Sequence, residues 1–122
     1  MAAFSKTSKE RLYTCDERLQ SICNAVIRKY DFTVLCGHRS QEEQELAYIN
    51  GKSSLKWPSS RHNKNPSLAV DVAPYPIDWN DLGRFTELAT YILAEGSRQK
   101  VPLVWGGHWS TLKDYPHFEI TI

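Results

Sequence analysis

Ser59-Ser60-Arg61-His62-Asn63-Lys64-Asn65-Pro66-Ser67-Leu68-Ala69-Val70-Asp71-Val72 passes from a polar, turn-forming segment into a short apolar run. Leu68-Ala69-Val70 reads as the start of a β-strand, and Asp71 interrupts its apolar character. A carboxylate between Val70 and Val72 is costly to bury alone, so a cation or a hydrogen-bond donor must face it. His62 lies nine positions earlier, beyond the turn Asn65-Pro66-Ser67. Imidazole and carboxylate are both ordinary ligands of divalent transition metals, zinc above all. A third ligand would come from Lys113-Asp114-Tyr115-Pro116-His117-Phe118-Glu119, near the other end of the chain.

Around these two stretches the sequence supplies a scaffold of alternating helices and strands. From Ser8 to Tyr30, apolar residues recur at spacings of three and four (Leu12, Cys15, Leu19, Ile22, Cys23, Val26, Ile27), which predicts one amphipathic helix of about 20 residues. Phe32 to Cys36 predicts a strand, and Gly37-His38-Arg39 a turn. Ser40 with Glu43 forms a capping box that opens a second helix, ending near Asn50-Gly51. Lys52 to Pro66 is a long polar loop. Leu68 to Val72 is the next strand, broken by Pro74-Tyr75-Pro76. A regular apolar stripe from Asn80 or Asp81 to Gly96 predicts a third helix. Val101 to Trp105 and His117 to Ile122 complete the strands. The order indicates an α+β domain, about three helices on a small antiparallel sheet.

Length and composition narrow the function. At 122 residues the chain is one domain, residues 1–122, long enough to bury roughly two-thirds of its unfolded surface. A formal net charge of +1 gives no electrostatic case for a nucleic-acid partner. No apolar run approaches the roughly 20 residues of a membrane span. The N-terminus lacks the apolar segment of a secretory signal, so the chain is expected to stay in the cytoplasm that makes it until it is released. Cys15 and Cys23, eight positions apart on a helical pattern, stand about 12 Å apart along the axis, too far for a disulfide. All three cysteines, with Cys36, read as reduced thiols.

His62, Asp71 and His117 together would leave an open coordination position, the arrangement of catalytic rather than structural zinc. Zinc lowers the pKa of a water to about 7, supplying a nucleophile at neutral pH. Asp114, three residues before His117, is placed to take the proton of that water. Arg39, at a strand-to-helix junction, is placed either as a solvated side chain or as the partner of a developing oxyanion. Glu119 is either an exposed edge residue or the group that orients the His117 ring. Spacing alone leaves a small α+β domain with satisfied histidines as an equal reading.

The motifs S-R-H-N…S-L-A-V-D-V, W-G-G-x-W and D-Y-P-H-F-E, with the G-H-R-S turn, resemble those of the zinc peptidases that include D-alanyl-D-alanine carboxypeptidases and phage L-alanyl-D-glutamate endopeptidases. The resemblance spans about residues 35 to 120. It implies a Hedgehog/DD-peptidase-like fold, zinc on His62, Asp71 and His117, Asp114 as catalytic base and Arg39 as transition-state partner. It also implies contacts from Ser60 to substrate, the stem peptide of bacterial peptidoglycan. Trp109 and His108 are further candidates for lining the cleft. Two departures stand out: two extra residues separate His62 from Asp71, and His108 replaces the family's acidic residue after the glycine pair. The implied function is a phage endolysin that cuts the L-alanyl-D-glutamate bond as a monomer. A D-alanyl-D-alanine dipeptidase or carboxypeptidase, and a metal- or wall-binding module without catalysis, are the alternatives.

Overall fold

The computed structural model describes residues 2–121, and its first departure from expectation lies in the opening helix. The stretch expected as one helix is two, α1 (Lys6–Leu12) and α2 (Glu17–Val26). The break has a local cause. The Asp16 carboxylate caps α2 by accepting from the Arg18 N–H, and the Asp16 N–H donates to the Ser67 carbonyl at 2.8 Å. The Ser67 N–H donates to the Thr14 carbonyl at 3.0 Å. Residues 13–16 therefore tie down the turn ahead of the central strand, which a continuous helix would not do. The three-and-four spacing persists across the break because Leu12, Cys15 and Leu19 are all buried in the same core.

The remaining elements follow in the expected order with small shifts at their ends: β1 (Phe32–Cys36), α3 (Gln41–Ile49), β2 (Ala69–Pro74), α4 (Leu82–Arg98), β3 (Leu103–Trp105) and β4 (His117–Ile120). Four α-helices thus lie among the described residues, one more than expected, because the first was divided. Single turns of 3₁₀ helix also form at Arg61–Asn63, inside the expected loop, and at Gly106–His108. The Ser40–Glu43 capping box is present with both reciprocal bonds. None of the helices among the described residues is long and apolar enough to cross a membrane.

The sheet has the order β1-β2-β4-β3, every pair antiparallel. Residues directly opposite in such pairs project from the same face, and neighbours along a strand alternate. On one face Val34 pairs with Val72 and Val70 with Phe118, which in turn pairs with Trp105. These residues join Leu19, Ile22 and Val26 of α2 and Leu88 and Ile92 of α4 in a single core. On the other face the register sets Cys36 opposite Asp71 and Asp71 opposite His117, with Ala69 opposite Glu119. Burying Val70, Val72 and Phe118 against the helices therefore turns Asp71, His117 and Glu119 together to the opposite side. The same alternation that builds the core builds the site.

Helix α3 departs from this pattern. Gln44 is its one buried residue, and Leu46, Tyr48 and Ile49 stand exposed beside Leu55 and Trp57 of the following loop. Here α3 borders a shallow cleft, lined by Tyr48, Ile49 and Trp57, instead of lying on the core, so its apolar side chains stay in solvent.

Candidate functional site

The cleft lies on the sheet face that carries Asp71. Arg39, Ser53, Leu55, Ser60, Arg61, His62, Asp71, Trp109, Leu112, Asp114, His117 and Glu119 are among its lining residues. Three of the sequence candidates meet at one atom. Asp71 Oδ1 lies 3.2 Å from His62 Nε2 and 3.1 Å from His117 Nδ1. The two extra residues between His62 and Asp71 therefore do not separate them. The extension is absorbed by the 3₁₀ turn and by Ser67, whose hydroxyl bonds the Ala69 carbonyl at 2.7 Å.

Each imidazole is fixed by an acceptor at its far nitrogen. His62 Nδ1 lies 2.7 Å from the Gly37 carbonyl, and His117 Nε2 lies 2.6 Å from Glu119 Oε1. A carbonyl and a carboxylate can only accept, so the protons sit on those two nitrogens. In the neutral rings the lone pairs then fall on His62 Nε2 and His117 Nδ1, both facing Asp71. That is the tautomer pattern metal-bound histidines adopt, with the outer N–H held by a carboxylate or carbonyl. A tetrahedral ion with ligand bonds of about 2.0 Å separates its donor atoms by about 3.3 Å, close to the two contacts on Asp71 Oδ1. Two imidazole nitrogens and a carboxylate are the kinds of donor a zinc-type ion takes.

Grouped by mutual proximity of ligand atoms within 4.8 Å, two overlapping trios emerge, Cys36–His62–Asp71 and Asp71–Asp114–His117, with Asp71 in both. Cys36 was not a sequence candidate beside His62. Its Sγ lies 3.9 Å from His62 Nδ1, the nitrogen already engaged by Gly37. His62 and His117 fall in different trios, and Asp71 is the residue that links them.

Charge follows from these contacts. Burial opposes protonation of His62, but the hydrogen bond and charge of Asp71 outweigh it and raise the imidazole to about 10. His117 rises to about 9 against the same burial penalty, through Asp71 and Glu119. Burial pushes the Asp71 carboxyl up, and the two histidines more than reverse this, holding it ionised. Metal binding at these groups would require both imidazoles in their neutral form. Glu119 is held below its ordinary range chiefly by its bond to His117, although burial opposes this, and it also accepts from Arg61 Nε at 3.1 Å. It is thus the orienting group of the two readings considered.

Asp114 stands exposed on the cleft wall with its carboxyl raised, first by desolvation and then by the negative charge of Asp71. Its backbone is held against Gly106: the Asp114 N–H donates to the Gly106 carbonyl at 3.1 Å. A Cβ on Gly106 would collide with the Asp114 carbonyl, so glycine is required there by close approach. Arg39 also reaches the cluster, with Nη2 3.7 Å from Asp71 Oδ2 and Nη1 2.8 Å from the Gln44 side-chain oxygen. Ser60 is buried, and its hydroxyl accepts from the His62 N–H at 3.2 Å, capping the turn that carries the histidine. Trp109 lines the cleft with its ring 5.3 Å from that of His117. His108 is exposed and packs its ring against Trp105 at 4.8 Å, outside the lining of the cleft. Gln44, Asn63 and Arg61 were not singled out from the sequence, and Cys36 was read only as a reduced thiol. The available signal was α3 itself, a capped helix with no apolar stripe whose buried position is an amide.

The profile of the phage L-alanyl-D-glutamate peptidase family matches residues 1–121. The chain is 35% identical over 123 residues to the L-alanyl-D-glutamate peptidase of Escherichia phage T5, covering 96% of this chain and 88% of that protein. Its structure is similar to the crystal structure of Serratia marcescens L-Ala D-Glu endopeptidase ChiX, with a TM-score of 0.84 at 28% identity. That match covers 98% of this chain and 90% of the other. The sheet-borne cluster of His62, Asp71 and His117 thus sits in a chain that belongs to the phage L-alanyl-D-glutamate peptidase family.

Proposed function

We propose that this chain is a peptidoglycan endopeptidase that hydrolyses the L-alanyl-D-glutamate bond of the stem peptide with zinc on His62, Asp71 and His117. The observation that carries the metal reading is the convergence of His62 Nε2 and His117 Nδ1 on Asp71 Oδ1, with both outer nitrogens locked by acceptors. The family and both named relatives support the bond specificity.

Zinc held there supplies Lewis acidity to the scissile carbonyl and lowers the pKa of the attacking water. Asp114 takes the proton of that water and passes it to the departing amine of D-glutamate. Its raised carboxyl suits the role, because a base nearer the working pH both accepts and returns a proton. The Arg39 guanidinium, 3.7 Å from Asp71 Oδ2, offers a fixed positive charge to the developing oxyanion. Trp109 and Leu112 wall the substrate, and Ser60 holds the His62 turn in place. One chain supplies every group, so a monomer suffices. As a phage endolysin it would remain in the host cytoplasm until released to the wall.

Metal quantification on purified variants, paired with turnover on peptidoglycan, tests this assignment. His62→Ala and His117→Ala lose zinc and activity together. Asp114→Asn retains zinc at wild-type stoichiometry and loses several orders of magnitude in rate. A fully active Asp114→Asn enzyme would remove Asp114 from the mechanism.

A further inference from the structure

Gln44 is fully buried at the start of α3, and its amide uses all four of its hydrogen-bonding positions. Its oxygen accepts from Arg39 Nη1 at 2.8 Å and from Asn63 Nδ2 at 3.3 Å. Its nitrogen donates to the Ser53 hydroxyl at 3.0 Å and to the Leu55 carbonyl at 2.6 Å. The amide cannot be turned over, since its NH₂ would then confront the guanidinium while its oxygen met the Leu55 carbonyl. Three of these partners, Arg39, Ser53 and Leu55, line the cleft. The fourth, Asn63, adjoins His62: its side chain donates to the Arg39 carbonyl at 3.1 Å, and the Arg39 N–H donates to the His62 carbonyl at 2.8 Å.

We propose that Gln44 is a positioning residue that sets two parts of the cleft from one buried amide. Its oxygen aims the Arg39 guanidinium at the reacting carbonyl, and its NH₂ holds the 53–55 loop as a substrate-binding wall. The proposal rests on the reading of Arg39 given above. Without the oxygen, Arg39 keeps a loose approach to Asp71 and a weak contact to Cys36 Sγ at 3.9 Å, neither of which fixes the plane of the fork. Because a misplacement of about 1 Å costs up to about a hundredfold in rate, releasing the guanidinium should appear in kcat. Releasing the loop should appear in KM.

The two arms separate chemically. Gln44→Glu keeps an acceptor for Arg39 and Asn63 and deletes the donor to the loop. Gln44→Met, similar in length, deletes both. Kinetics on a soluble stem-peptide fragment with zinc-loaded wild type, Gln44→Met, Gln44→Glu, Arg39→Ala and the Gln44→Met/Arg39→Ala double variant form the test, alongside hydrogen exchange across residues 51–57. We expect Gln44→Met to lower kcat about tenfold or more, and the double variant to be no slower than Arg39→Ala alone, because the amide acts through the guanidinium. Gln44→Glu should hold kcat within about threefold while raising KM and speeding exchange in the loop. If Gln44→Met does not fold, Gln44→Glu carries the test. Rate losses that multiply in the double variant, or a Gln44→Glu enzyme that loses kcat as Arg39→Ala does, would overturn the proposal. An inactive wild type would instead overturn the functional reading, and an Arg39→Ala enzyme of full kcat would remove Arg39 from the mechanism and Gln44's catalytic arm with it.

Discussion

Replacing Glu119 with glutamine leaves the shape of β4 unchanged and alters only what the His117 ring leans on. In the native chain Oε1 takes the His117 Nε2 proton at 2.6 Å while Oε2 takes Arg61 Nε at 3.1 Å. Glutamine has one acceptor oxygen. If that oxygen stays with His117, the NH₂ faces the Arg61 guanidinium, donor against donor; if it turns to Arg61, the NH₂ faces the His117 N–H. Either way His117 loses a charge-assisted bond that fixes its tautomer and makes Nδ1 more basic. Loss of such an outer partner weakens a metal site by about 10- to 100-fold, or about 1.4 to 2.7 kcal/mol. Competition for zinc against a chromophoric chelator at fixed pH measures this directly, with circular dichroism as a control for folding. A Glu119→Gln protein whose zinc affinity stays within about twofold of wild type would refute the claim that Glu119 orients the ligand.

Three other perturbations address the scaffold. Gly106→Ala should displace the Asp114 backbone, because the added methyl meets the Asp114 carbonyl; activity should fall while zinc stoichiometry, read by metal analysis, is kept. Leu88→Ala empties a fully buried position between α4 and the sheet and should cost about 2–5 kcal/mol in urea unfolding, with little change in the midpoint-normalised activity. Asp16 and Glu43, both helix-capping carboxylates, titrate below their ordinary values of 3.8 and 4.5, Asp16 chiefly through Arg18 and Glu43 through the Ser40 backbone. Their stabilisation is present above those values and is lost as pH falls through the lower folded-state ones. The thermal midpoint of an Asp16→Asn/Glu43→Gln protein should therefore fall less between pH 5 and about 3 than that of wild type.

Much of this was legible from the residues alone. Asp71 between Val70 and Val72 was readable as a carboxylate needing a partner, but that its strand pairs with His117-Phe118-Glu119, and in which register, came only with the sheet. The Ser40–Glu43 capping box was readable because its partners are three residues apart. What escaped was set by contacts between distant segments. The break at residues 13–16 exists because Ser67, some fifty positions away, bonds both Thr14 and Asp16, and helical periodicity carries no trace of that. Gln44 looked like any polar helix residue, since its four partners lie in three other parts of the chain. His108 follows the glycine pair as the motif suggests, yet the 3₁₀ turn points its ring at Trp105. The Glu119 role was undecided in sequence because a strand-edge carboxylate and an imidazole partner have the same spacing.

Mass spectrometry of the products released from purified peptidoglycan, with zinc-replete and chelator-treated protein side by side, tests the central claim most directly. The account predicts new amino-terminal D-glutamate in the zinc-replete digest and its loss on chelation. Release of D-alanine or D-alanyl-D-alanine, cleavage that persists undiminished after the metal is stripped, or no cleavage by a zinc-loaded protein would contradict it.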